Sequence, residues 1–186
     1  MVGQAFLSLA TAFGLSTSAG LNAYIPLLVA ALLGRFTSLI TLSEPYDVLT
    51  NWWVIGTLIV LLIVEVLVDK VPAVDTINDI IQTFIRPTAG ALLFAATTNT
   101  IGMHPVLAAI CGVILAGGVH TVKAGGRPVV ASMTAGTANP VMSTIEDTIS
   151  FVISVLAIVA PYLVAALILI SLGLFTWWYV RRRRRV

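Results

Sequence analysis

Charge is what this sequence has least of. Asp, Glu, Lys and Arg make up 10% of the 186 residues, against 59% hydrophobic residues, whereas soluble domains carry about 25% charged and 45–50% apolar residues. With a mean hydropathy of +1.04, an ordinary water-soluble domain is excluded. Cysteine is nearly absent: the single Cys111 rules out an intrachain disulfide and a cysteine-based metal cluster. The two histidines, His104 and His120, stand too far apart for a His-Glu-x-x-His zinc motif, and neither a nucleophile elbow nor a phosphate-cradling glycine loop occurs. A protein that is not an enzyme is therefore expected. No linker or low-complexity stretch divides the chain, which reads as a single transmembrane domain, 1–186.

What is present is a series of apolar runs. A bilayer core about 30 Å thick takes about 20 helical residues to cross, and the runs are Ala5 to Leu33, Trp52 to Val68, Phe84 to Thr98, Pro105 to Val122 and Thr148 to Val180. The first lacks a basic leader region and reads as a retained span rather than a signal peptide. The last is too long for one upright helix, and Pro161 near its middle removes a backbone donor, so it is split there. Cytoplasmic loops are enriched in Lys and Arg. Six spans with both termini in the cytoplasm put the Arg181–Arg185 tail, Lys70, Arg86, Lys123 and Arg127 on that side and leave only Arg35 outside. The expectation is an all-α polytopic integral membrane bundle of about six transmembrane helices in the cell inner or plasma membrane. Trp52 and Trp53 at the start of the second span, and Trp177, Trp178 and Tyr179 at the end of the last, fit headgroup anchors.

Outside the tail, most charges gather in two segments, 70–86 with the preceding Glu65 and Asp69, and 123–147. Each carries a Lys, then an Arg-Pro pair (Arg86-Pro87, Arg127-Pro128), then Thr-Ala-Gly. The shared plan raises an internal duplication of spans two and three in four and five, with amphipathic or re-entrant segments at 70–86 and 123–147. After Pro72, Asp75 is a candidate N-cap, and Asp75, Asp79, Gln82 and Arg86 fall on one helical stripe opposite Ile77, Ile80, Ile81, Phe84 and Ile85. That pattern fits a surface helix as well as a polar lining.

Four further features concern function. Glu65 lies about one turn inside the apolar boundary of span two, where an ionised carboxylate is costly, and pairing with Asp69 and Lys70 would explain it. His120 follows Gly112 and Ala116 on one side of span four; it is either a hydrogen-bonded structural residue or a proton relay. In span five Asn139 can cap a helix starting at Pro140, and Ser143, Glu146, Ser150 and Ser154 follow at three- and four-residue steps with Asp147 alongside. "LSTSAGLNAYIP", residues 15–26, with Asn22 and Pro26, has the signals of a broken or kinked first helix or of close packing through small residues. Asp75 and Asp79 with Glu65, Asp69 or His120 could hold a divalent metal, but the neighbouring Lys and Arg favour neutralisation by ion pairs. No metal or cofactor is expected.

"GLSTSAGLNAYIPLL", "VDKVPAVDTINDIIQTFIRPTAGALL", "HTVKAGGRP" and "NPVMSTIED", in this order over nearly the whole chain, resemble the bacterial membrane family called domain of unknown function 4126. The resemblance implies a small polytopic membrane protein and carries no activity with it. The functional expectation comes from the residues: a transporter or channel for an ion or small solute through a charge-paired cavity. Its candidate residues are Asn22, Glu65, Asp69, Lys70, Asp75, Asp79, Arg86, His120, Lys123, Arg127, Asn139, Ser143, Glu146 and Asp147. The alternative is a nonconducting membrane protein whose charges lock helices together or bind lipid or a partner. Membrane lipid, an ion or small solute and a second copy of the chain are the expected partners; the net charge of +2 comes from the tail, so nucleic acid is not.

Overall fold

The computed structural model of the chain describes residues 2–69, 72–134 and 139–183. Among them there is no strand, and seven α-helices account for almost all of the chain: α1 (Val2–Leu21), α2 (Tyr24–Phe36), α3 (Trp52–Val68), α4 (Pro72–Thr98), α5 (Pro105–Thr134), α6 (Asn139–Val159) and α7 (Pro161–Arg183). Among the described residues three segments, Ile80–Ile101, Pro105–Gly126 and Pro140–Val159, are long and apolar enough to cross a membrane.

The distribution of polarity is the reverse of a soluble protein's. Ile59, Val60, Ile63, Val64 and Leu67 of α3, Val106, Ile110 and Ile114 of α5, and Phe151 and Val152 of α6 are exposed, while Glu65, Arg86, His120 and five serines are buried. A belt of exposed large apolar side chains on this scale marks contact with lipid. Trp52 and Trp53 are exposed at the start of α3, as are Trp177 and Trp178 near the end of α7. The Arg35 guanidinium lies 4.4 Å from the Trp52 ring centroid.

Interhelical contacts order the helices between two ends of the bundle. Against α6, α1 is antiparallel: Thr11 bonds the carbonyl of Ala157, Ser18 meets Ser150 and Ser154, and Asn22 reaches Asp147. Next, α2 returns along α3. Its first residue, Tyr24, lies in the field of Glu65, and near its end Arg35 Nη1 donates to the carbonyl of Thr50 at 2.7 Å. The connection 37–51 then sits beside Asn99, which donates to Ser43 Oγ and the Glu44 carbonyl.

The apolar run Ala5 to Leu33 is therefore a helical hairpin, not a single broken span. Its two-residue turn is built by Asn22, whose Oδ1 accepts from the amides of Tyr24 and Ile25 at 2.9 and 3.1 Å; this caps α2 without a solvated loop. With this extra leg the described residues form seven helices where about six spans were expected, and α1 starts at the end of the bundle from which α7 departs. The split at Pro161 is present. Before it Ala157, and after it Val164, face Gly14, so the chain doubles back.

Two further expectations change. Asp75 does not cap α4, which begins at Pro72; proline suits the first helical position because the missing N–H has no partner there in any case. Segment 72–86 is the first half of α4, which runs on through Pro87, and 123–134 is the last part of α5. Neither is a separate amphipathic or re-entrant element. The Arg86-Pro87 pair thus follows the connection before its helix, whereas Arg127-Pro128 precedes the connection after its helix, and the order needed for a duplication is lost.

The helices approach closely where glycines meet. A Cβ on Gly112 would strike the Gly90 carbonyl, and one on Gly20 would lie 2.5 Å from the Ala116 carbonyl oxygen. Small residues of this kind let α1, α4 and α5 pack backbone to backbone.

Candidate functional site

The hairpin tip meets a cluster of buried charged side chains. Asp147 lies eight residues into α6, about 12 Å from its start at 1.5 Å per residue, and Asn22 Nδ2 donates to its Oδ1 at 2.9 Å. The carbonyl of Leu21, one of the last of α1 and therefore without a helical donor, accepts from Lys123 Nζ at 2.9 Å. Lys123 also pairs with Glu146 at 2.8 Å. The two ends exposed by the break in the first run are thus satisfied by side chains from α5 and by Asn22 itself.

Beside the tip, α3 and α4 contribute a second pair. Arg86 Nη2 lies 3.3 Å from Glu65 Oε1, with the two side chains 0% and 1% exposed. Arg86 Nη1 is 3.1 Å from His120 Nδ1. A guanidinium only donates, so Nδ1 accepts and the imidazole proton sits on Nε2, 3.0 Å from Thr83 Oγ1. Asp69 Oδ1 accepts from Asn78 Nδ2 at 2.7 Å. Glu65 lies in the electrostatic field of Arg86, Asp69, Asp147 and Lys123, which makes the two pairs one network.

The network is incompletely satisfied. Glu65 Oε2, Gln82 Oε1 and Arg86 Nε are buried with no hydrogen-bond partner among the described residues. A buried polar group left without a partner costs about 1–3 kcal/mol, and such a group in a native structure calls for a ligand, water or functional reason. No group of three or more metal-ligating side chains occurs among the described residues.

Of the candidates, Asn22, Glu65, Asp69, Arg86, His120, Lys123, Ser143, Glu146 and Asp147 are buried or half-buried around this region. Lys70 and the side chains of Asp75, Asp79, Arg127 and Asn139 lie outside the described residues. Glu65 pairs with Arg86, 21 residues away; the expected network with Asp69 and Lys70 involves Lys70, which lies outside the described residues. Tyr24, Asn78 and Thr83 were missed. Gln82 was seen on the stripe but not counted; its spacing of four from Arg86 was the available signal.

Two openings adjoin the network or lie across the bundle from it. A groove of about 350 Å³ runs past Leu21, Val119, Val122, Lys123 and Glu146. A cleft of about 430 Å³ lies at the opposite end, lined by Gln4, Ser8 and Thr11 of α1, Ile40 and Thr41, Thr97 and Thr100, and Ile158 and Pro161.

The profile of the family described as Domain of unknown function (DUF4126) matches residues 9–182. The chain belongs to that family. The matched region holds the whole network from Asn22 to Asp147 and both legs of the hairpin. No curated protein and no solved structure matches the chain.

Proposed function

We propose that the protein is a small membrane transporter, without enzymatic activity, in which Glu65 and Asp147 bind a proton or monovalent cation. The observation that carries this reading is the unpartnered Glu65 Oε2, with Gln82 Oε1 and Arg86 Nε, buried at the tip of a helical hairpin. Ionisable groups inside membrane bundles mark ion or proton paths when they are not purely structural. Discontinuous helices are the usual frame for such sites, since their ends bring partial charges and free backbone groups to the ion. Here the Leu21 carbonyl at the end of α1 accepts from Lys123, and Asn22, which caps the start of α2, also holds Asp147.

The positive-inside rule assigns the end carrying Lys123 and the tail arginines to the cytoplasm of a plasma or inner membrane. In this frame α3 to α7 cross in turn, and α1–α2 enters from the outside and returns. His120 couples the parts: a proton on Nδ1 displaces Arg86 and leaves its guanidinium to Glu65 alone. Purified protein in liposomes should carry protons or a monovalent cation above the leak of empty vesicles, and Glu65→Gln and Asp147→Asn should each abolish the excess.

A second reading has its own observation. The Glu65–Arg86 pair is closed off from the described cavities, as charges that only lock helices together would be. Flux equal to that of empty liposomes, with Glu65→Gln changing stability alone, would decide for this structural role.

A further inference from the structure

The transport reading leaves the polar residues at the other end of α1 unused. Gln4, Ser8, Thr11, Leu15, Ser18 and Asn22 follow one another at three- and four-residue steps and so share one helical face. Gln4, Ser8 and Thr11 line the cleft, and Asn22 holds Asp147. The facing stripe of α6 is Asp147, Ser150, Ser154 and Ala157. Between the two helices Ser18 Oγ lies 2.8 Å from Ser150 Oγ and 2.7 Å from Ser154 Oγ; the Ser150 carbonyl is also within 2.7 Å of Ser18 Oγ and Ser154 Oγ, and the Ser18 carbonyl within 3.2 Å of Ser150 Oγ, so a hydroxyl joins the row when its proton turns from a carbonyl to its neighbour. All three serines are 0% exposed. Thr11 Oγ1 closes the far end on the Ala157 carbonyl at 2.8 Å.

Hydroxyls in a helix interface hold helices together, and one bond to a backbone carbonyl suffices for that. This row also lies between two independent features, the cleft at Thr11 and the carboxylate network at Asp147. From Asp147 to Ala157 it covers ten residues of α6, about 15 Å, or about half of a bilayer core. Its single apolar interruption on α1 is Leu15, which is fully buried. The seam is packed, so an ion with its hydration shell cannot pass without separating α1 from α6. A proton can: each hydroxyl takes a proton on a lone pair and gives up its own on the other side. The cleft lining carries no charged side chain among the described residues, and water in it would supply the proton.

We propose that the Thr11–Ser18–Ser150–Ser154 seam is the proton route between the cleft and Asp147, with Leu15 as the plug that interrupts it. This rests on the transport reading and adds the species and the path. A proton delivered from cleft water at Thr11 moves through Ser154, Ser18 and Ser150 to the Asp147 carboxylate, with transient water carrying it across Leu15 and from Ser150 to Asp147. The coupled species is the proton, not a metal cation.

The test uses the full chain in liposomes loaded with a pH-sensitive dye, with a potassium diffusion potential as the driving force. Wild-type vesicles should acidify faster than empty ones, and more slowly in D2O. Ser18→Ala should lower the flux about a hundredfold, the low side of what a positioned proton-transfer group contributes. Ser16→Ala is the control: its hydroxyl is equally buried but turns to the Gly90 carbonyl at 2.9 Å, off the seam, and flux should stay at wild-type level. Leu15→Ser should raise the flux, which a structural role for the serines does not predict and which stands even if Ser18→Ala fails to fold. Wild-type flux with no response to Ser18→Ala or Leu15→Ser overturns the route and leaves the transport reading intact. Cation flux without proton flux overturns the species, and no flux of either kind removes the transport reading itself.

Discussion

Replacing Arg86 by Met removes the centre of the buried network while keeping most of the side-chain volume. Arg86 is fully buried, and its loss leaves Glu65 with neither carboxylate oxygen partnered and takes the donor from His120 Nδ1. Breaking a buried ion pair by removing one member costs about 3–5 kcal/mol, because the remaining charge is stranded. At about 2–4 °C per kcal/mol for a chain of this size, the melting temperature should fall by about 6–20 °C. The assay is thermal unfolding of the purified protein in one detergent at one pH, followed by far-ultraviolet circular dichroism. Replacing both partners by well-packed apolar residues is often neutral or stabilising, so Glu65→Met/Arg86→Met should recover most of the loss. A single variant within about 1 kcal/mol of wild type, or a double variant as unstable as the two single losses added, would refute the buried pair.

Two further outcomes test the fold. On a Cys111→Ser background, cysteines at Gly3 and at Glu44 should react with a membrane-impermeant thiol reagent from the same side, because α1 and α2 form a hairpin; one broken span would put them on opposite sides. Gly112→Val should lower the yield of folded protein, since its Cβ would strike the Gly90 carbonyl and overpacking costs about 1–3 kcal/mol. Gly118→Ala, with nothing within 4 Å of the added Cβ, should be indistinguishable from wild type by the same measure.

The turn at Asn22 shows why part of this fold was hidden. Turns are found in sequence by their polar loops, because exposed backbone groups are met by water. Here the Asn22 side chain and Lys123 meet them inside the bundle, so the hydropathy of residues 5–33 runs on without a gap. Pro161 was legible for the opposite reason: its missing donor breaks a helix whatever surrounds it. The lengthwise reading also took 70–86 and 123–147 as segments distinct from the spans. Their polar residues belong instead to long helices, with Gln82, Arg86, Lys123 and Glu146 buried inside the bundle and away from surface water.

The sequence by itself determined the class of the protein and the residue types of the site. Low charge, long apolar runs and acids at span boundaries follow from solvation, and solvation acts residue by residue. Helical spacing also placed Ser143, Glu146, Ser150 and Ser154 along one side of a helix. Only the tertiary structure decided which faces meet: Glu65 with Arg86, Asn22 with Asp147, and Ser18 with the serines of α6. Those pairings depend on how the helices pack and where the chain turns back. An i, i+4 pattern fixes the face of a helix and leaves its neighbour open.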